Sequence, residues 1–487
     1  MTSDLKMQGA LSEVHHQWLT GRLMTKGSIL ISGASMALPS GLTYGDLRIV
    51  DGIITEISTT PGSLIAKPEE RVIAAEGFHL LPGIIDPQVH FREPGQPEKE
   101  DLQSGSAAAA SGGVTSFLDM PNNKPSAVTL ESIMDKIATA GNKCVTHHGF
   151  FIGATPDNVS ELQKAVGEPG MGIAIPGICG IKIFMGASTG DLLVNELQHL
   201  ETIFSSTAGL IAVHAEDEKR MNERFEQFKH RTDMAAHAEW RDDICALNAT
   251  KIAVNLALEH QHRLHVLHLT SGIEADWLSE KIDSSGLITT EVLPQHLSFA
   301  EEEVMEIGTR LKMNPPIRMA EDRRILWQRL LDGTIACIAT DHAPHTLESK
   351  TLGWPKSPSG MPGVETSLPV MLTHARDGKC TIEQVVNWMS TNVAQTYQMV
   401  GKGKLEEGMD GDVVLVDMDT EIVVADENSW SRVGWNPFAG QKLVGWPVLT
   451  IVDGIPVFER NTETGPRGAI LIEAGTAGRP LIMMPWN

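Results

Sequence analysis

LPGIIDPQVHFREPG, residues 81–95, is an apolar run that breaks off into Asp86, Gln88, His90, Arg92 and Glu93. An apolar run entered through Pro and Gly reads as a buried parallel strand, and side chains two apart on a strand point the same way. Gln88, His90 and Arg92 therefore share one face at the end of that strand. An amide, an imidazole and a guanidinium placed there could hold a metal ion and an anionic substrate beside it. A capped strand with a satisfied histidine accounts equally well for the stretch taken alone. The balance moves because later apolar runs end in the same way.

Working outward, apolar runs alternate with helical patterns in the manner of βα units around a parallel sheet. Eight can be counted: 81–86, 114–120, 147–154, 180–185, 209–215, 263–271, 287–293 and 334–342. Eight such units close a barrel. An open doubly wound sheet competes, but no GxGxxG follows the first run. Strand patterns flank the barrel on both sides. ILISG (29–33) and LRIVDGIITEIS (47–58), turning at Asp51-Gly52, are echoed by DVVLVDMD (412–419) and LTIVDGIPVFE (449–459), turning at Asp453-Gly454. Asp-Gly between alternating apolar residues is a strong hairpin signal. The expected fold is therefore an α/β chain: a (β/α)8 TIM-type barrel over 81–402 with a small β-sandwich domain built from both chain ends, 28–80 plus 403–460. Two unrelated β appendages are the alternative. Residues 1–27 form an N-terminal extension, 383–400 a last amphipathic helix, and 461–487, rich in Gly and Pro, a wrapping tail.

The chain has 487 residues, 41% of them hydrophobic, so a large core is within reach. Lys plus Arg number 39 against 62 Asp plus Glu, a net charge of −23. That balance argues against nucleic acid or an anionic membrane surface as partner. It leaves an acidic small molecule open, since a local cation can reverse the field inside a pocket. Cys144, Cys179, Cys245, Cys337 and Cys380 are scattered and form no CxxC, as expected of free thiols in a reducing compartment. No apolar run reaches the roughly 18 residues of a membrane span. Asp4 and Glu13 interrupt the N-terminal extension, which disfavours a secretory signal despite Arg22 and Lys26, so the cytoplasm is the expected location.

At the C-terminal ends of barrel strands, polar side chains point into the active site. The first run supplies Gln88, His90 and Arg92, and the second ends in Asp119-Met120-Pro121-Asn122. Lys182 stands between Ile181 and Ile183, so alternation turns it inward, where an unpaired ammonium would cost several kcal/mol. Such a lysine must be paired, neutral or modified. Carboxylation by CO2 would make it an anionic ligand able to bridge two metals. The fifth run ends in His214, the sixth in His268, and the eighth in Thr340-Asp341-His342-Ala343-Pro344-His345. A lone histidine is more often structural. Together, however, His90, Lys182, His214, His268 and Asp341 are the nitrogen and oxygen donors that Zn2+ takes in an open catalytic site, with one or two ions per chain. His265 reads as structural, as do His15, His16, His147 and His148.

With these residues in view, the chain resembles the dihydroorotases of the amidohydrolase superfamily from about residue 28 to 460. DPQVHFREPG (86–95), FLDMPNN (117–123), IKIFMGAST (181–189) and ATDHAPH (339–345) carry the likeness, with KMNPPIR (312–318) and SGMPGVETSLP (359–369) adding to it. The resemblance implies reversible hydrolysis of dihydroorotate to N-carbamoyl-aspartate in pyrimidine synthesis, on zinc bridged by an N6-carboxylated Lys182. It implies that Arg92, Asn122, His345 and Asn314 bind substrate, and that Asp341 is both ligand and proton shuttle. It also implies a homo-oligomer, with aspartate transcarbamoylase as a possible companion. Arg92 and Asn122 set these enzymes apart from hydantoinases and allantoinases, the rival ring-opening reading. Two positions depart from the pattern. Gln88 stands where the first histidine of His-x-His is usual, which adds Gln88 to the ligand set as a poorer donor and raises the rival of a catalytically silent scaffold. Gln295 stands beside His296 where two histidines are usual. Asp191 is the runner-up for the bridging carboxylate.

Overall fold

A computed structural model describes residues 27–187 and 192–485. Asp191, His15, His16, Arg22 and Lys26 lie outside the described residues. Eight parallel strands form one sheet: β1 (Ile84–Val89), β2 (Val114–Asp119), β3 (His147–Gly153), β4 (Ile178–Phe184), β5 (Leu210–His214), β6 (Arg263–Val266), β7 (Ile288–Val292) and β8 (Cys337–Ile338), each paired with the next. A single parallel bridge between Val89 and His342 joins the last segment to the first. Asp86 reinforces this closure, accepting from Thr340 Oγ1 at 2.5 Å and Thr340 N at 3.1 Å. The expected barrel is thus the observed one, with β8 much shorter than its apolar run.

The run 81–86 divides in two. Leu81 and Pro82 pair antiparallel with Val414 and Val413, whereas Ile84 pairs parallel with Val114. The chain changes sheets at Gly83, where an added Cβ would stand 2.1 Å from Thr115 Oγ1. Both halves are buried and apolar, so composition alone does not reveal the break.

The second sheet has nine strands drawn from both chain ends. Ser28–Leu38, Gly41–Val50, Ile53–Ser58, Arg71–Ala74 and His79–Pro82 meet Val413–Asp417, Trp446–Val452, Ile455–Glu459 and Ala469–Ile470. Its core packs Ile29, Ile31, Leu47 and Ile49 against Leu415, Leu449 and Ile451. At both Asp-Gly turns the two residues have positive φ, 50° and 87° at 51–52, 52° and 73° at 453–454, as a type I′ hairpin requires. The two turns touch: a Cβ on Gly454 would lie 2.8 Å from the Gly52 Cα.

The last helix runs through an α turn (Ile382–Val386), a π turn (Asn387–Thr391) and a second α turn (Asn392–Thr396), ending short of residue 400. Beyond it the tail passes beneath the barrel. Leu481 N donates to His148 O, and Leu481 and Met483 pack with Phe151, Cys179 and Tyr397 in the barrel interior.

Asp412 ties these parts together. It accepts from His147 Nε2 at 3.1 Å and Asp453 N at 2.6 Å, and it pairs with Lys402. Burial pushes its carboxyl up, but the Lys402 ammonium and His147 outweigh that and hold it well below the usual carboxylate range. A depressed folded pKa contributes stability above the unfolded value of about 4, lost as pH falls through the folded one. Asp412→Asn should therefore cost about 3 kcal/mol at pH 7. In thermal unfolding, its gap from wild type should narrow as pH is lowered toward 3. A gap independent of pH would remove Asp412 from this role.

Candidate active site

The cavity at the C-terminal ends of the barrel strands is lined by Gln88, His90, Arg92, Lys182, His214, His268, Asn314 and Asp341, together with Phe184, Ala343, Ser359 and Gly360. The sequence-derived set therefore converges on one place, and Asn122 and His345 adjoin the residues that line it. Asn122 accepts from His90 Nδ1 at 2.7 Å, and His345 stands 3.4 Å from Arg92 Nη2. Arg92, His268 and Asp341 have φ of 57°, 39° and 47°. Left-handed backbone at non-glycine residues costs roughly 1–3 kcal/mol each and gathers where side chains must be aimed. Here it turns three side chains inward just past their strands.

Proton bookkeeping shows what the site can hold. Asn122 Oδ1 places a proton on His90 Nδ1, so His90 Nε2 presents a lone pair to Asp341 Oδ1, 2.9 Å away. Two lone pairs at that distance call for a proton or a cation between them. His214 Nε2 donates to Glu216 at 2.8 Å, which leaves Nδ1 facing His268 Nε2 at 3.0 Å. Burial lowers the pKa of both rings, keeping them neutral as metal ligands must be. Lys182 Nζ has no hydrogen-bond partner among the described residues and lies 4.6 Å from the Phe184 ring centroid. Burial pulls its pKa to about 7. Gln88 Nε2 donates to Asp341 Oδ1 at 3.2 Å, while Gln88 Oε1 and His268 Nδ1 are buried without partners among the described residues.

Among the described residues no three His, Cys, Asp or Glu side chains form a metal-holding group by themselves. The donors are paired off, His90 with Asp341 and His214 with His268, and the set is completed only by Lys182 and Gln88. Neutral imidazoles, facing lone pairs and an orphaned amine nonetheless fit a cation among them.

Several residues of the site were not anticipated. Glu216 orients His214 and is held in turn by Arg241 Nη2 at 2.9 Å; burial raises its pKa, but Arg241 and His214 bring it down to about 2. Arg241 Nη2 also donates to Ala187 O at 2.6 Å, tying down the loop after β4. Glu216 was within reach, since it follows His214 by two residues on the same face. His237, which meets Asn314 Oδ1 at 3.0 Å, carried no signal. His265 bonds Thr289 and Glu291 beneath the site, and His147 bonds Asp412 far from it.

Residues 79–457 match the amidohydrolase family. A dihydroorotase of Halobacterium salinarum is 34% identical over 397 residues, 80% of this chain and 89% of that protein. An allantoinase of Deinococcus radiodurans is 31% identical over 459 residues, 91% and 98% of the two chains. Among solved structures, an L-hydantoinase (dihydropyrimidinase) of Arthrobacter aurescens superimposes with a TM-score of 0.85 at 28% identity, covering 94% of this chain and all of that one. Metal ions are general in this family, and its members act on small molecules. No helix among the described residues is long and apolar enough to cross a membrane. The chain belongs to the amidohydrolase family, in its dihydroorotase branch of cyclic amide hydrolases.

Proposed function

We propose that this enzyme hydrolyses (S)-dihydroorotate reversibly to N-carbamoyl-L-aspartate in pyrimidine synthesis. Arg92 carries the reading. Its guanidinium lines the cavity, is 4% exposed and makes no ion pair among the described residues. Among those residues its Nε has no partner and its one hydrogen bond goes to the His345 imidazole. Burial lowers its pKa to about 10, so it is charged at pH 7. A buried cation that lines a cavity and forms no ion pair among the described residues suits a substrate carboxylate, which a guanidinium binds through two parallel hydrogen bonds.

His90, Lys182, His214, His268 and Asp341 would hold zinc, with Gln88 as a weak sixth donor. Bound there, zinc supplies Lewis acidity toward the scissile carbonyl and lowers the pKa of water. A lysine with a pKa near 7 is substantially free amine at neutral pH, as N6-carboxylation by CO2 requires. Arg92, Asn122, His345 and Asn314 bind and orient the substrate, with Asn122 also held against His90 and His345 against Arg92. Asp341 takes the proton of the attacking water and delivers it to the departing ring nitrogen. Five free, buried cysteines suit the cytoplasm. A homo-oligomer is expected, and its mass alone and with aspartate transcarbamoylase tests for that companion.

Ring opening of dihydroorotate, followed by ultraviolet absorbance on protein prepared with zinc and bicarbonate, tests the reading, with hydantoin and allantoin as the rival substrates. Turnover abolished by a chelator is the expected result. Turnover of the rivals alone would replace it. Gln88→His should raise the metal bound per chain without changing the preference for the acidic ring. An unchanged metal count would take Gln88 out of the ligand set.

A further inference from the structure

Two lysines are buried beside the cavity, and neither forms an ion pair among the described residues. Lys350 is 1% exposed and Lys312 5%. Lys350 Nζ donates to the carbonyls of Lys312, Pro358 and Gly360 at 2.9, 3.0 and 2.8 Å. Lys312 Nζ donates to the carbonyls of Pro355, at 3.2 Å, and Ser357. Three acceptors match the three N–H bonds of an ammonium and hold the proton there against burial and the neighbouring Lys312, which pull the Lys350 pKa well below the usual lysine value. Burying such a charge without a carboxylate is expensive, and methionine would fill the same space without that cost. What the charge does is draw the carbonyls of 355, 357, 358 and 360 to one side of their loop. The other side of the loop presents Ser359 and Gly360 to the cavity.

The loop acts on Arg92 through one ring. A guanidinium can only donate, so His345 Nε2, 3.4 Å from Arg92 Nη2, must carry a lone pair. The ring proton is then on Nδ1, and the loop packs directly on this imidazole: a Cβ on Gly360 would stand 3.1 Å from His345 Cδ2. Trp435 secures the same residue from behind. Its Nε1 donates to His345 O at 2.8 Å, and its ring centroid lies 5.9 Å from Lys350 Nζ.

We propose that Lys350, assisted by Lys312, is a positioning residue for recognition of the substrate acid: it pins loop 355–360, the loop holds the His345 ring, and that ring, with its Nε2 lone pair turned to Arg92, sets the guanidinium. The idea rests on the dihydroorotate reading given above, so the test separates the two. Lys350→Met, with Lys350→Gln as a variant retaining two donors, is compared with wild type on dihydroorotate, on dihydrouracil, which is the same ring without the carboxylate, and in orotate binding by calorimetry. For Lys350→Met, KM for dihydroorotate and Kd for orotate should rise by about tenfold, with a smaller effect for Lys350→Gln. Dihydrouracil turnover and bound metal should stay near wild type. Equal losses on both rings, or unchanged orotate binding, would overturn the proposal. If Lys350→Met does not fold, Lys350→Gln and Lys312→Met are held to the same split. Failure of the wild-type protein itself to bind orotate or open dihydroorotate would instead count against the substrate reading. The positioning role then stands or falls on the His345 tautomer, read from 15N-histidine shifts: Nδ1–H in wild type, a mixture in Lys350→Met.

Discussion

Arg92→Met should lower kcat/KM for dihydroorotate by about a thousandfold while leaving bound metal unchanged. Removing one member of a buried, hydrogen-bonded charge pair costs roughly 3–5 kcal/mol, and each 1.36 kcal/mol is a factor of ten. The estimate applies because Arg92 is ion-paired to no carboxylate among the described residues, where its one side-chain hydrogen bond goes to the His345 imidazole. The substrate would supply both the missing charge and acceptors for the unpartnered Nε. Most of the loss should fall on KM, since the carboxylate is present in ground and transition states alike. Dihydrouracil should lose little. Steady-state kinetics on the two rings measures the difference, and an equal loss on both would remove the carboxylate from Arg92.

Asp341→Asn should reduce kcat by about 10²–10⁴, the range of a positioned general acid–base group. The substitution keeps the shape that accepts from Gln88 Nε2 at 3.2 Å. It removes the ability to take a proton and return it. Because φ at this position is 47°, and Asn tolerates the left-handed region well, the backbone should be undisturbed. KM should therefore change little, and single-turnover measurements should place the loss in ring opening. Retention of kcat to within tenfold would pass the proton shuttle to another group.

How much of this was legible in the sequence depended on whether a residue broke a local pattern. Lys182 did, as a lysine inside an apolar alternation, and so did His214 and His268 at the ends of apolar runs. Glu216 was readable by the same period of two. The change of sheet at Gly83 was not, because the chain is equally apolar on both sides of it. Lys312 and Lys350 were hidden for a different reason. In KMNPP and LESK they look like solvated charges, and only tertiary structure reveals that backbone carbonyls, which leave no mark in a sequence, surround them. Asn122 and His345 were read as substrate contacts. In the structure Asn122 meets His90 and His345 meets Arg92, contacts between distant parts of the chain that spacing cannot express.

The meeting of the two Asp-Gly turns bears on how the protein is made. Residues 51 and 453 are separated by 453 − 51 = 402 positions. At a synthesis rate of about 5–20 residues per second, roughly 20–80 s pass between their appearances. Throughout that interval the early strands have no Val413–Asp417 to pair with, and His79–Pro82 offers an open edge. Open edges recruit other chains. A ribosome that stalls within the barrel region therefore releases an aggregation-prone fragment, and the enzyme's yield in a cell should depend on translation speed and on chaperones that shield that edge.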